Sequence, residues 1–514
     1  MMAAEQGIQT HRLSHLLDGM ASVAPAMDLD VGGLSLDSRS VSAGDLFLAC
    51  AGKQRHGLVF AGQAAARGAA AIVWEPGDAE GEKLAGEMLS RKLPLIALPE
   101  LSHFVSRIAG RFFGHPSRDM TLYGITGTNG KTSISLLLAQ ALETEGLCGV
   151  VGTLGAGLPG RLTATGMTTP DAVAVQRLLA DLHRQGAGAV AMEVSSHALD
   201  QHRAAAVAFD CAIFSNLSRD HFDYHGSLEN YAAAKRKLFH MPGLGSAVIN
   251  LDDPFGRELA TSLSGELAVL GYAIDPDATR PAGLQGWVWA KSVESTPRGL
   301  SIVLATPQGE AVLQSRLMGR FNASNLLAVL TVLLYRGWPL QQAVDVMAKL
   351  STVPGRMELL GGGEKPSVVV DYAHTPDALE KALQALRRHC PGRLFVVFGC
   401  GGDRDRGKRP IMGEMAARLA DVCYLTDDNP RSESSARIIE QILTGIPRTE
   451  QIRVEPDRGS AIHKAVSAAA PGDLVLVAGK GHEDYQIVGD QVLHFDDREV
   501  AAAALDAWGG NANE

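Results

Sequence analysis

Short apolar runs alternate along most of the chain with longer, alanine-rich stretches in which apolar residues recur every three or four positions. Parallel strands joined by crossover helices read this way, because such strands are covered on both faces. In the first segment the pattern predicts strands at Gly44–Ala49 and Ala70–Trp74 around a helix at Phe60–Arg67, a small α/β unit ending near Arg118. A second segment opens on a strand at Leu122–Thr126. Its helix from Lys131 sets Ile134, Leu137, Leu138 and Leu142 on one face. Further strands are expected at Ala189–Glu193, Ala212–Ser215 and Ala247–Asn250, then an antiparallel patch over 276–313, where Gly, Pro and Thr punctuate short alternating runs, and a helix at Asn322–Tyr335. After a linker at Thr352–Gly355 the rhythm resumes, with strands at Val368–Val370, Leu394–Phe398, Val422–Leu425 and Leu474–Val477.

The fold class is therefore α/β. At roughly 150 residues per domain, 514 residues make about three domains, placed at 1–118, 119–353 and 354–514. The 47 basic and 57 acidic residues leave a net charge of −10, so the surface has no overall attraction for nucleic acid. No apolar run approaches the roughly 18 residues that span a bilayer. Met1–Gly7 has no basic cluster followed by an apolar stretch, so the expectation is a cytoplasmic protein with no membrane partner. The six cysteines lie far apart without a C-x-x-C pair, which argues against zinc and for reduced, mostly buried thiols.

Chemistry enters at Gly124-Ile-Thr-Gly-Thr-Asn-Gly-Lys-Thr-Ser133, between a predicted strand and a predicted helix. Here backbone N–H groups of Gly127, Thr128, Asn129 and Gly130 can wrap phosphates at a helix N-terminus. Lys131 would neutralise the β and γ phosphates, Thr132 would offer its hydroxyl to Mg²⁺, and Ser133 completes the motif. The strict G-x-x-x-x-G-K-[ST] pattern needs glycine at 125, where this chain has Ile125, so the motif is the variant G-x-x-G-x-x-G-K-T. Nucleoside triphosphate binding follows. The use made of the phosphoryl group does not, and GTPase, kinase, transporter and ligase all stay open on the loop alone.

Six segments in register narrow this: the phosphate loop, Met192-Glu-Val-Ser-Ser-His197, Ser215-Asn-Leu-Ser-Arg-Asp-His221, Tyr231-Ala-Ala-Ala-Lys235, Asp371-Tyr-Ala-His-Thr-Pro376 and Asp428-Asn-Pro-Arg431. Together they resemble the Mur ligases of peptidoglycan synthesis, over essentially the whole chain from Asp37 to Glu483, and most of all the diaminopimelate-adding members. The resemblance implies a UDP-binding N-terminal domain, a central P-loop ATPase-like parallel-sheet domain and a Rossmann-like C-terminal domain that closes over the site. It implies a monomer that uses ATP to join meso-2,6-diaminopimelate to the D-Glu of UDP-N-acetylmuramoyl-L-Ala-D-Glu. In that reaction the D-Glu carboxylate takes the γ-phosphoryl group, and the incoming amine then displaces phosphate through a tetrahedral intermediate.

Residue by residue, the resemblance assigns Mg²⁺ to Thr132, Glu193, His221 and Lys235, and catalysis to Lys131 with the last three. Ligand chemistry alone would prefer Asp220 or Asp223 to His221, since Mg²⁺ favours oxygen. Lys235 is implied to be carbamylated (N6-carboxylysine), which requires a neutral amine; neighbouring Arg236 and Lys237 are expected to lower its pKa. Asn325, Arg356, Asp371 and His374 match ATP positions beyond the loop. Ser38, within Asp37-Ser38-Arg39, and Gln54, after Lys53, map to the uridine end of the muropeptide; Thr168, Thr169, Ser195, Gln201 and Arg203 map to its sugar-peptide end.

Diaminopimelate differs from lysine by a carboxylate at its far end, so discrimination needs a fixed cation, and Arg431 supplies a planar fork that the lysine-adding members lack. Asn429 serves the amine side, Pro430 stiffens the turn, and Asp428, Arg404, Gly479 and Glu483 match the same pocket. A lysine-adding ligase and a folylpolyglutamate-type ligase are the alternatives within the superfamily; the UDP-side residues count against the second. A nucleotide-gated binding protein would show an N-K-x-D motif, which is missing from the sequence.

Overall fold

A computed structural model of the chain describes residues 10–52, 55–88, 93–353, 355–447 and 451–509. They fall into two compact units, Met1–Ile249 with Asp253–Val269, and Asn250–Asp252 with Leu270–Glu514.

The first unit holds two sheets. In the smaller, the strands Gly33–Ser35, Asp45–Ala49, Ala71–Trp74 and Leu95–Ala97 pair in parallel in chain order. Successive side chains of a strand point to opposite faces, and here both faces are covered. Leu46, Leu48, Ala71 and Val73 enter one core, while Phe47, Ala49, Ile72 and Trp74 enter another. This is why these strands read as unbroken apolar runs. The larger sheet places Thr121–Thr126 between Cys211–Phe214 and Ala189–Glu193, with Ser246–Asn250 beyond the first and Cys148–Gly152 beyond the second. All five run parallel, so their carboxyl ends share one edge, the edge at which open α/β sheets bind ligands. Gly155–Gly157 turns back antiparallel.

The helix Lys131–Leu142 departs from the one-faced expectation: Ser135, Leu136, Ala139 and Ala141 are buried along with the four apolar residues named from the periodicity. A helix enclosed nearly all round loses its amphipathic signature. The helix Ala172–Arg184 starts at Asp171, whose carboxylate accepts from the backbone N–H groups of Val173 (3.0 Å) and Ala174 (2.9 Å). Removing that cap in Asp171→Ala is expected to cost about 1 kcal/mol, read as a lower denaturant midpoint at unchanged slope.

In the second unit, the strand Ala268–Ala273 pairs in parallel with Gly286–Thr296 through residues 270–273, and Gly299–Thr306 and Gly309–Ser315 extend it as an antiparallel meander, the expected patch. The expected helix spans Arg320–Tyr335. A six-stranded sheet follows, ordered Glu358–Gly361, Ser367–Asp371, Leu474–Ala478, Leu394–Phe398, Val422–Leu425, Ile452–Val454, parallel except at its first pair. Alternation again splits the core: Val369, Val396 and Leu476 pack on one face, and Val368, Val370, Phe395, Val397, Val475 and Val477 on the other. Each such side chain contributes about 1.5–3 kcal/mol on burial. A hairpin, Tyr485–Val488 with Gln491–His494, lies beyond the sheet in sequence.

All six cysteines are free thiols; five are buried and Cys50 is partly covered. Burial pushes Cys50, Cys211, Cys400 and Cys423 up to about 12, so they stay protonated at neutral pH. No helix among the described residues is long and apolar enough to cross a membrane.

Candidate active site

The motif glycines do different work. Gly124 lies within the strand, where a Cβ would stand 3.0 Å from Phe209 and 3.1 Å from Leu238, so its role is close packing. Gly127 has φ +146°, and a Cβ there would fall on the Ser215 hydroxyl. Gly130, at φ +87°, caps the helix that begins at Lys131. The loop therefore wraps where the sequence placed it, with its N–H groups at a helix N-terminus, the arrangement that favours anions.

The segment after the neighbouring strand Cys211–Phe214 braces this loop. Ser215 donates to the Asn129 carbonyl at 2.5 Å, the Asn216 amide exchanges two hydrogen bonds of 3.0 Å with the Asn129 backbone, and the Thr128 N–H donates to the Asn216 carbonyl at 2.8 Å. The Ser218 N–H donates to the Thr128 hydroxyl at 3.0 Å. Sequence reasoning weighed this segment only for its metal-ligand candidates, Asp220 and His221; the polar side chains at Ser215, Asn216 and Ser218, following a buried strand, were the available signal.

Two lysines converge on one carbonyl. Lys131 Nζ donates to the Gly127 oxygen at 3.0 Å and to that of Thr128 at 2.9 Å; Lys235 Nζ donates to the same Gly127 oxygen at 2.8 Å. Lys235 is 1% exposed. Burial, reinforced by the Lys131 charge and opposed by Asp220, holds its amine well below the usual lysine range. The expected cause was different: Arg236 pairs with Glu258 and Lys237 with Asp200, so neither adjacent cation depresses Lys235. Helical spacing turns those two side chains away from the Lys235 amine. Lys131 is also lowered by burial, against Glu193 and Asp220.

Glu193 ends the strand Ala189–Glu193 and is 1% exposed. Burial pushes its carboxyl up, against hydrogen bonds from the Thr153 N–H at 2.9 Å, the Thr153 hydroxyl at 3.1 Å and the Thr132 hydroxyl. A single buried carboxylate with an adjacent hydroxyl, beside a phosphate cradle, is a donor set that fits Mg²⁺, which prefers oxygen and keeps water and phosphate among its ligands. Among the described residues no three His, Cys, Asp or Glu side chains form a metal cage by themselves. His221 has φ +53°, is about half exposed, and packs edge-on against His197 at 4.8 Å.

A cavity of about 510 Å³ opens in the same unit, lined by Asp200, Gln201, Arg203 and Tyr224 together with Cys50–Gly52 and Met167. Arg203 donates to the Gln201 Oε1 atom at 3.0 and 2.6 Å and to the Thr169 carbonyl at 2.8 Å. Thr169 donates to the Glu193 carbonyl at 2.9 Å and accepts from the Ser195 N–H at 3.1 Å. Thr168 meets the Thr153 hydroxyl at 3.0 Å. Of the five residues expected at the sugar-peptide end, Thr169, Ser195, Gln201 and Arg203 are thus linked to one another, and Thr168 reaches Glu193 through Thr153. Ser38 is apart: it is buried, donates to the Gln63 side chain at 2.7 Å and does not line the cavity. Gln54 and Lys53 lie outside the described residues.

In the second unit, Asp371 accepts from the N–H groups of Met357 (2.8 Å) and Ala373 (2.9 Å), and burial raises its carboxyl despite those bonds and Arg356. It lines a cavity of about 380 Å³ with Arg320 and Phe321. Arg356 stacks on Tyr372 at 4.9 Å, and His374 rests against the same ring at 4.5 Å. Asn325 is buried within its helix and donates to the Asn322 side chain at 2.9 Å.

The residues around Asp-Asn-Pro-Arg do gather. Arg431 adopts φ +52° and is pinned to the hairpin by its N–H on the Ile487 carbonyl at 3.1 Å and its carbonyl on the Gly489 N–H at 2.8 Å. Its Nη1 donates to the Gly402 carbonyl at 2.9 Å, while Nε and Nη2 find no hydrogen-bond partner among the described residues. One edge of the guanidinium fork is left open. Gly401 sits against both Arg431 and Arg404, and a Cβ at Gly479 would stand 2.7 Å from the Asp428 carboxylate. Asn429 donates to Glu483 at 3.2 Å and accepts from Lys480 at 3.0 Å. Sequence reasoning passed over Lys480, which is 0% exposed and also donates to the Tyr485 carbonyl at 2.6 Å. A lysine one glycine beyond the apolar run Leu474–Ala478 was its only sequence signal.

A glycine-built phosphate cradle with paired lysines and a buried carboxylate defines an enzyme that draws on a nucleoside triphosphate, with charge neutralisation as its main device. Comparison with known proteins narrows the class. The Mur ligase family catalytic domain matches residues 30–113, the Mur ligase middle domain 125–333, and the Mur ligase glutamate ligase domain 355–481. The chain belongs to the Mur ligase family. It is 52% identical over 483 residues to the UDP-N-acetylmuramoyl-L-alanyl-D-glutamate–2,6-diaminopimelate ligase of Pseudomonas aeruginosa, covering 94% of this chain and 96% of that one. The ligase of the same name from Alkalilimnicola ehrlichii is 51% identical over 500 residues, covering 96% and 98%. A solved structure bearing that name superposes with a TM-score of 0.75 at 36% identity, covering 97% of this chain and 99% of that one.

Proposed function

We propose that this chain is the ATP-dependent ligase that joins meso-2,6-diaminopimelate to UDP-N-acetylmuramoyl-L-Ala-D-Glu during cytoplasmic peptidoglycan precursor synthesis, acting as a monomer with domains at 1–118, 119–353 and 354–514. The observation that carries the choice of nucleophile is Arg431, a pinned guanidinium with an open edge, set in Asp-Asn-Pro-Arg beside Asn429 and Glu483. The names of the near full-length relatives agree with this reading.

The chemistry follows from charge. A carboxylate approaching a triphosphate in a drying cleft is strongly repelled unless cations stand between them. The N–H groups of residues 127–130 and the Lys131 ammonium hold the β and γ phosphates. Thr132 and Glu193 would hold Mg²⁺, with His221 and a carbamylated Lys235 holding a second ion; magnesium, when bound, supplies further positive charge at the transferring phosphoryl group. Arg203 and Gln201, tied to Thr169, orient the D-Glu end of the muropeptide. The D-Glu carboxylate oxygen then bonds to the γ-phosphorus as the bond to ADP breaks. The diaminopimelate amine adds to the acyl carbon, the tetrahedral adduct expels phosphate, and an amide, ADP and phosphate remain. Asn429 and Glu483 face the amino-acid head of the nucleophile, and Arg431 its distal carboxylate.

The deciding assay is phosphate release from ATP with UDP-N-acetylmuramoyl-L-Ala-D-Glu, comparing meso-diaminopimelate with L-lysine. Turnover is expected with diaminopimelate and close to background with lysine. Equal rates would make the chain a lysine-adding or unselective ligase, and no turnover with this muropeptide would remove the reading.

A further inference from the structure

The muropeptide cavity contains a tyrosine to which neither the resemblance nor the comparisons assign a role. Tyr224 lies on the short helix Phe222–His225, directly after His221, and its ring packs 4.2 Å from that of His197. Its hydroxyl donates to Asp200 Oδ2 at 3.0 Å and accepts from Gln201 Nε2 at 3.0 Å. Lys237 Nζ donates to the other oxygen of Asp200 at 3.0 Å, and at the far end Arg203 donates twice to Gln201 Oε1. The five side chains form one line: Lys237, Asp200, Tyr224, Gln201, Arg203.

The direction of every bond in this line is set at its ends. Lysine and arginine only donate, and a carboxylate only accepts. Arg203 therefore fixes the carbonyl end of the Gln201 amide, which leaves the NH₂ end to face Tyr224. The tyrosine hydroxyl, accepting there, must give its proton to Asp200. Tyr224 is the one member that accepts and donates through a single atom, and without its oxygen the Gln201 amide loses one of its anchors and Asp200 one of its donors. Asp200, Gln201, Arg203 and Tyr224 all line the cavity, so the line presents a fixed amide and guanidinium to whatever occupies it.

We propose that Tyr224 is a positioning residue for the muropeptide: its hydroxyl locks the Gln201 amide in one orientation and, through it, the Arg203 fork that takes an anionic group of that substrate. This rests on the reading that the UDP-linked dipeptide occupies this cavity.

Tyr224→Phe keeps the ring and deletes only the oxygen. Its KM for UDP-N-acetylmuramoyl-L-Ala-D-Glu is expected to rise about fivefold, with the KM for ATP and for diaminopimelate within twofold of the parent and kcat within threefold. Calorimetric titration of the muropeptide, without turnover, is expected to show the same loss. Because Tyr224 acts through Gln201, the double variant Tyr224→Phe/Gln201→Leu is expected to bind no worse than Gln201→Leu alone. An unchanged KM, an equal rise for all three substrates, or additive losses in the double variant would each overturn the assignment. Should Tyr224→Phe fold poorly, Asp200→Asn reads the same line, since its amide can donate towards the tyrosine and reverse the bond; a parental KM there would likewise overturn it. Parent enzyme inactive with this muropeptide would instead sink the functional reading, which keeps the two failures apart.

Discussion

Lys235→Ala is expected to lower kcat at least a thousandfold, about 4 kcal/mol of transition-state stabilisation, and millimolar short carboxylic acids such as acetate are expected to restore part of it. The lysine is enclosed, its amine shares the Gly127 carbonyl with Lys131, and both burial and that neighbouring charge disfavour its protonated form. An amine depressed in this way gives up its proton more readily, and uptake of carbon dioxide would then make it a long carboxylate, turning a repelled cation into an oxygen donor beside the phosphate loop. A small carboxylic acid diffusing into the space left by Ala would replace that oxygen donor, though without its covalent tether, so recovery should be partial and saturable. Phosphate release measured against acetate concentration checks this. Full activity of the unrescued variant would remove Lys235 from the mechanism, and activity that no carboxylic acid improves would remove the carbamate while leaving the lysine.

Arg431→Ala is expected to raise the KM for meso-diaminopimelate ten- to hundredfold, about 1.4–2.8 kcal/mol, and to shrink the preference over L-lysine by a similar factor. The guanidinium is held by one edge to the Gly402 carbonyl and by its own backbone to Ile487 and Gly489, so its open edge stays aimed without reorganisation. Arg431→Lys should recover only a small part, because an ammonium lacks the planar fork that meets both oxygens of a carboxylate. Steady-state kinetics with both nucleophiles decide the matter, and a variant that uses diaminopimelate normally would place the specificity elsewhere.

Much of the architecture was legible along the chain. Strands such as Leu394–Phe398 and Ala189–Glu193 coincide with their predicted bounds because parallel strands covered on both faces are continuous apolar runs. The phosphate loop was legible because strand, turn and helix are consecutive, so its backbone course is written in one short stretch, whereas the groups that brace it come from far along the chain. Other features were hidden. The helix Lys131–Leu142 was read as one-faced because periodicity reports apolar positions and cannot see that Ser135 is enclosed too. Beyond its place after an apolar run, Lys480 carries no sequence signal of its burial, which comes from packing against Asn429 and Tyr485. The depressed amine of Lys235 was expected, but from the wrong neighbours: Arg236 and Lys237 are next to it in sequence, whereas Lys131, which adds to the effect, lies 104 positions earlier.

By itself, then, the sequence determined the α/β class, the phosphate cradle and the family, since each is written in residues that are contiguous or in fixed short motifs, where covalent connectivity alone enforces proximity. Only the tertiary structure decided which charges are buried, which lysine depresses which, that Ser215 and Asn216 brace the loop, and that Tyr224 stands between Asp200 and Gln201. Those properties depend on distance and on exclusion of water, and both are set by how strands far apart in the chain come to lie side by side in one sheet.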